Sequence, residues 1–138
     1  MIKEIVKDTN ILTQKSEAVT FEEAQEIITD LLDTAYHHID TCAGLAAPQI
    51  GVNKRVVVVR TGNTFFPMIN PVVVKKTGKK FVNHEGCLSL DGVRAVERFP
   101  SILVGYIDKS GKRCTKSFNG TTAIIIQHET DHLNGILI

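Results

Sequence analysis

The pattern H-E-x-x-H occurs near the C-terminal end of the sequence, as His128-Glu129-Thr130-Asp131-His132. Residues four apart share one face of an α-helix, so a helix here would bring both imidazoles to a single metal ion. Glu129 would be rotated by about 100° from His128, so it could stand beside the metal as a general base without binding it. The pattern is short and also arises by chance. A metal site is therefore a sound prediction only if the sequence also offers a third ligand.

We expect the third ligand upstream of this helix. In the protease pattern H-E-x-x-H-x-x-G-x-x-H it follows the second histidine by six residues, and here that position is Ile138, the last residue of the sequence. Cys87 is the strongest upstream candidate, because a thiolate and two imidazoles leave a fourth position for water, as a catalytic site requires. A metal ion there would lower the pKa of that water toward about 7 and supply a nucleophile. His84 is a weaker candidate, and we interpret Cys114 as an incidental thiol.

The apolar spacing predicts a single α+β domain over residues 1–138. Thr20-Phe21-Glu22-Glu23 is typical of a capping box, and apolar residues then recur at helical spacing as far as Ile39. The next apolar runs are short and β-branched, which indicates strands. These runs cover 55–60, 71–75, 102–107 and about 113–118. Helical spacing returns over about 121–137.

Charge and cysteine content exclude several classes of protein. The 16 Lys and Arg residues balance 15 Asp and Glu residues, for a net charge of +1, which gives no electrostatic footprint for nucleic acid or an anionic membrane. No apolar run reaches the roughly 18 residues of a membrane span, and the first residues lack the apolar core of a signal peptide. Three cysteines, an odd number, fit poorly with a secreted disulfide framework. We therefore expect a cytoplasmic protein that binds neither nucleic acid directly nor a membrane.

A third segment, G-L-A-A-P-Q-I-G at 44–51, carries small residues and one side-chain amide. Small residues suit a backbone that approaches another group closely, and the Gln49 amide could stabilise an oxyanion. By itself, the segment is more typical of an ordinary turn than of a site.

Together and in order, three segments resemble the peptide deformylase family. The family motifs are G-x-G-x-A-A-x-Q, E-G-C-L-S and Q-H-E-x-D-H. They correspond here to C-A-G-L-A-A-P-Q at 42–49, E-G-C-L-S at 85–89 and Q-H-E-T-D-H at 127–132. The likeness extends from about Ile11 to the last residue, so it covers most of the chain.

The resemblance implies an enzyme that removes the formyl group from the N-terminal formylmethionine of newly synthesised polypeptides. It implies antiparallel β-sheets packed around a C-terminal helix that carries H-E-x-x-H, together with an N-terminal helix. The implied metal ligands are Cys87, His128 and His132, with Glu129 as acid/base. The implied oxyanion donors are the Gln49 side chain and the Leu88 N–H. The implied substrate contacts are Gly44, Glu85, Arg94 and, in the methionine pocket, Ile124 and Ile125 with His128.

The resemblance also implies one divalent metal ion, typically Fe²⁺, with Ni²⁺, Co²⁺ or Zn²⁺ as substitutes. The implied partners are N-formylmethionyl nascent peptides and, transiently, the ribosome. The acidic residue of the last motif is Asp131. The resemblance suggests that Asp131 supports the metal site without binding the metal, through an ion pair with Arg98.

Three departures from the family pattern leave alternatives open. Cys42 replaces the first motif glycine, Leu90-Asp91-Gly92 lacks the usual proline, and the sequence ends six residues after His132, without the extension through which longer members are thought to reach the ribosome. One alternative is a divergent paralogue that acts on another N-acylated amine. The other is a non-catalytic metal protein in which His84 or Cys42 supplies a fourth ligand.

Overall fold

The computed structural model describes residues 1–138 and arranges them in three layers, a five-stranded sheet between two helices. The helices are α1 (Thr9–Leu12), α2 (Phe21–His37) and α3 (Gly120–Leu133), with a 3₁₀ helix at Ala47–Ile50. The strands are β1 (Gly44–Ala46), β2 (Val56–Thr61), β3 (Thr64–Thr77), β4 (Phe81–Glu85), β5 (Arg94–Arg98), β6 (Ser101–Ile107) and β7 (Arg113–Asn119). This confirms the predicted α+β class with antiparallel sheets and helices near both ends.

The main sheet has the strand order β1-β2-β3-β6-β7, and all its pairs are antiparallel. The first four residues of its second strand, 56–59, are all buried valines, a pattern typical of a strand with both faces of the sheet covered. Val56 and Val58 pack in the core cluster beneath α2, whereas Val57 and Val59 pack in the cluster beneath α3. The strand therefore holds both helices against the same sheet.

The predicted capping box begins α2. The Thr20 hydroxyl accepts a hydrogen bond from the Glu23 N–H, and the Glu23 carboxylate accepts one from the Thr20 N–H. Two N–H groups that would otherwise lack partners are thus satisfied. The face that α2 buries includes Ala24, Leu31 and Ala35, each fully buried. His37 is the last residue of this helix and His38 is its C-cap, and neither belongs to the cluster of potential metal ligands.

Helix α3 is buried on nearly all sides, and Gln127 through Thr130 are buried in succession. This explains why its apolar pattern is weaker than that of a surface helix. The helix ends at Leu133, so the prediction that it continues to residue 137 was wrong. Asn134 is the cap, and Gly135 has φ +73°, a left-handed conformation that stops the helix and favours glycine. No helix of the chain is both long and apolar enough to cross a membrane.

Three strands, β1, β4 and β5, were not predicted from the sequence, and β3 was predicted too short. β4 and β5 form a separate two-stranded antiparallel sheet in which Glu85 is opposite Arg94. β3 begins at Thr64, seven residues before the predicted run. The small sheet matters most for the site, because β4 leads directly through Gly86 to Cys87.

Candidate metal centre

Cys87, His128 and His132 come together at one point, with their ligand atoms all within 4.8 Å of one another. The Nε2 atoms of the two histidines, one helical turn apart, are separated by 3.2 Å. Two imidazoles bound at about 2.0–2.1 Å to one tetrahedral ion would have nitrogen atoms about 3.3 Å apart. The three side chains therefore fit a single divalent ion and leave a fourth position open. His84 and Cys42, the alternative ligands, are not in this cluster.

The two histidines differ sharply in protonation. Burial lowers the pKa of His128, but contacts with Cys87 and Glu85 outweigh burial and raise that pKa to about 10. Burial and the neighbouring His128 lower the pKa of His132 to about 3. At neutral pH the pair therefore carries one proton more than two neutral imidazoles, and a cation that binds both Nε2 atoms would displace that proton.

Glu85 lies behind His128. Its Oε1 is 2.7 Å from the Nδ1 of His128, which leaves Nε2 directed toward the other ligands, as in carboxylate–histidine–metal sites. Burial raises the pKa of the Glu85 carboxyl, but hydrogen bonds with His128, Arg98 and Asn83 outweigh burial and lower it to about 2. The sequence predicted a substrate contact for Glu85. The residue does line the cavity, but its carboxylate is directed to these protein partners instead.

Arg98 is only 4% exposed and joins two carboxylates. Its Nε and Nη2 donate to Glu85 at 2.8–3.2 Å, and its Nη1 donates to Asp131 at 2.7 Å. The predicted pairing of Asp131 with Arg98 is confirmed. The buried guanidinium thus ties β5 and β4 to α3 and supports the ligand His128 through Glu85.

Glu129 is 3% exposed, and its Oε1 has no hydrogen-bond partner in the protein. Burial is the main cause that raises the pKa of its carboxyl to about 7. Gly44 allows this carboxylate to lie close to β1: a Cβ at position 44 would stand 2.8 Å from Glu129 Oε2 and 2.9 Å from Ile125 Cγ2. An unpartnered buried carboxyl with a pKa near neutrality is suited to proton transfer.

A cavity of about 210 Å³ opens beside these residues. Six of the predicted site residues other than the metal ligands line it, namely Gly44, Glu85, Leu88, Ile124, Ile125 and Glu129. The Leu88 N–H donates to no protein atom and is free to bind an oxygen. Arg94 does not line the cavity and donates to the Asp91 carbonyl, so its substrate contact stays a prediction.

Gln49 is 1% exposed and held at both ends of its amide. Its Oε1 accepts from the Ala46 N–H at 3.0 Å, and its Nε2 donates to the Ser89 hydroxyl at 3.1 Å. A primary amide has two N–H bonds, so one donor remains. The oxyanion role predicted for Gln49 needs only that one.

The backbone at the two departures from the family motifs is ordinary. Neither Cys42 nor Asp91, which stands where the family usually has proline, has a positive φ, so neither position needs glycine. The glycine that follows, Gly92, is kept and has φ +79°, a left-handed turn conformation that favours glycine.

The site combines three N and S ligand atoms, a buried carboxyl without a hydrogen-bond partner, and a cavity. This combination is typical of a mononuclear metallohydrolase. Comparison with known proteins narrows the class. A family model described as polypeptide deformylase matches residues 2–138. The chain therefore belongs to the polypeptide deformylase family.

Individual relatives agree with this family. The chain is 49% identical over 138 residues to a peptide deformylase of Clostridium beijerinckii, and the match covers all of both chains. Among solved structures, the class I type b peptide deformylase of Acinetobacter baumannii aligns with a TM-score of 0.89 at 28% identity, over 99% of this chain and 97% of that chain. A probable peptide deformylase of Synechococcus phage S-SSM7 aligns with a TM-score of 0.86 at 38% identity, over 99% of this chain and 95% of that one.

Sequence reasoning missed what Glu85 does for His128. The two residues are 43 positions apart, and the link depends on the small β4–β5 sheet, which was not predicted. An acidic residue two positions before a thiolate ligand was the available signal, because histidine ligands in metal sites usually donate their other nitrogen to a carboxylate or carbonyl.

Proposed function

We propose that this chain removes the N-formyl group from the N-terminal formylmethionine of newly synthesised polypeptides, with Cys87, His128 and His132 as ligands of one divalent metal ion. The observation that carries the proposal is the convergence of these three ligand atoms beside the unpartnered Oε1 of Glu129. A closed structural site would have no use for that carboxylate and would need a fourth protein ligand.

A divalent ion held there supplies Lewis acidity and lowers the pKa of a coordinated water toward neutrality. Glu129 accepts a proton from the attacking water at its carboxylate and donates it to the nitrogen of the departing amine. The free N–H of Leu88 and the second N–H of the Gln49 amide donate to the formyl oxygen as it gains negative charge. Glu85 keeps the His128 ring oriented throughout.

The free edge of β1 offers main-chain groups to the peptide. The Arg60 N–H donates to the Ala43 carbonyl, and Gly44 is opposite Val59. Residues of an antiparallel pair alternate between hydrogen-bonded and non-hydrogen-bonded positions, so the N–H and C=O of Gly44 point away from β2. β1 is the edge strand, and Gly44 lines the cavity, so an extended peptide can add to the sheet there. Ile124 and Ile125 supply apolar surface for the methionine side chain.

Fe²⁺ is our proposal for the physiological ion, with Ni²⁺, Co²⁺ and Zn²⁺ as substitutes, because a thiolate and two imidazoles accept several borderline ions. We propose N-formylmethionyl nascent peptides as the substrate partner, with transient docking at the ribosome and a cytoplasmic location. The A. baumannii relative is described as bound to Met-Ala-Ser, a peptide that begins with methionine as the proposed product does.

The test is metal analysis of anaerobically purified protein, paired with turnover of formyl-Met-Ala-Ser after Fe²⁺ loading. We expect one ion per chain and release of formate, with acetyl-Met-Ala-Ser hydrolysed much more slowly. Preference for another N-acyl group would favour a divergent paralogue. A bound ion without any hydrolysis, and without exchangeable water at the ion, would favour a structural metal protein.

A further inference from the structure

The Cys42 thiol donates a hydrogen bond to the Gly44 carbonyl oxygen. We propose that it thereby competes with a substrate N–H for this oxygen, so that Cys42 sets the affinity for the peptide main chain. The inference rests on the proposed function and concerns a residue that departs from the family motif. It would make Cys42 a specificity-determining residue that does not take part in the chemical step.

The contact itself is direct. The Cys42 Sγ donates to the Gly44 carbonyl oxygen at 3.3 Å. Both residues line the cavity, yet Cys42 is only 2% exposed. The carbonyl is turned away from β2 by the strand alternation, so the thiol is its protein donor.

The thiol is held in place by its own backbone. The Cys42 N–H donates to the His38 carbonyl at 2.9 Å, at the end of α2, and the Cys42 carbonyl accepts from Arg60 Nη1 at 3.3 Å. With the main chain fixed on both sides, the side chain can leave the Gly44 carbonyl only by rotation about χ1. Burial is the main cause that raises the pKa of the thiol to about 12, so it remains an S–H donor at neutral pH.

Docking of a peptide N–H on the Gly44 carbonyl must therefore break the S–H contact. A thiol is a weak donor, and contacts of this strength are worth a small factor in affinity. Removing the thiol should strengthen peptide binding, whereas replacing it by a hydroxyl, a better donor, should weaken binding. The peptide must break this contact in both the ground state and the transition state. Substitutions of Cys42 should therefore change KM more than kcat.

The experiment compares the metal-loaded wild type with C42A and C42S, using formyl-Met-Ala-Ser as substrate and Met-Ala-Ser as ligand. For C42A we expect KM and Kd to fall about three- to fivefold, with a smaller change in kcat. For C42S we expect both constants to rise. C114S is the matched control, because Cys114 lies outside the cavity, and its constants should equal those of the wild type. Equal or higher constants in C42A, or lower ones in C42S, would overturn the proposal.

Two further readouts separate this contact from a structural effect of the substitution. The infrared S–H band of Cys42, identified as the band missing in C42A, should shift to higher frequency when Met-Ala-Ser binds. Met-Ala-Ser analogues in which one main-chain N–H at a time is replaced should include one for which wild type and C42A bind equally. An unmoved band, or no such analogue, would contradict the inference. Both readouts work without turnover, so a wild type that binds Met-Ala-Ser without releasing formate would refute the proposed function alone.

Discussion

Substitution of Gly44 by alanine tests the packing that places Glu129 in the site. The new Cβ would lie 2.8 Å from Glu129 Oε2 and 2.9 Å from Ile125 Cγ2, whereas ordinary contact begins near 3.4 Å. Both neighbours are buried, so in a close-packed interior they must move by about half an ångström. Overpacking of this kind costs about 1–3 kcal/mol of the free energy of unfolding, which would lower the Tm by about 4–12 °C for a domain of this size.

The same displacement should reduce turnover, because misplacing a catalytic group by a fraction of an ångström to one ångström costs up to about 10²-fold. The assay is formyl-Met-Ala-Ser hydrolysis together with thermal unfolding of the metal-loaded variant. G105A is the matched control: Gly105 is also a strand glycine, but a Cβ there meets no atom within 4 Å and its φ is not positive. A G44A protein with the Tm and kcat of the wild type would refute the inferred packing of Glu129 against β1.

Three other substitutions test separate parts of the structure. E129Q should keep its metal, measured by elemental analysis, and lose about 10²-fold or more in kcat, whereas E97Q, at an exposed ion pair, should keep both. E85Q should weaken metal affinity by about 10–100-fold in a chelator competition. The pKa of Glu85 is lowered from 4.5 to about 2. Its ionised form therefore stabilises the fold above pH 4.5, and this stabilisation is lost as the pH falls toward 2. The stability of E85Q should depend less on pH between 4.5 and 2 than that of the wild type. T20A should lose about 1 kcal/mol of stability in denaturant titration through loss of the α2 cap, without a change in kcat.

Local patterns in the sequence were enough to predict the long helices and the class of fold. The capping box at Thr20 and the spacing of His128 and His132 depend on residues within one or two helical turns. Backbone geometry within a helix is regular, so such spacing translates directly into a shared face. The strand β2 was also readable, because a run of four valines, buried on both faces, is typical of a covered sheet.

What the sequence left open concerns contacts between distant segments. β4 and β5 carry mixed polar and apolar residues, largely exposed on one side, so no strong periodicity marked them. The positions of Glu85 and Arg98 behind His128 depend on the pairing of these strands and on their packing beside α3, 43 and 33 residues away along the chain. The sequence showed Cys42 only as a departure from a motif, whereas the structure shows its thiol donating to the Gly44 carbonyl. The metal ligands could therefore be predicted from local sequence patterns. The residues that orient them and the shape of the cavity arise only when the sheet brings remote segments together. Side-chain contacts between remote segments have no local sequence pattern.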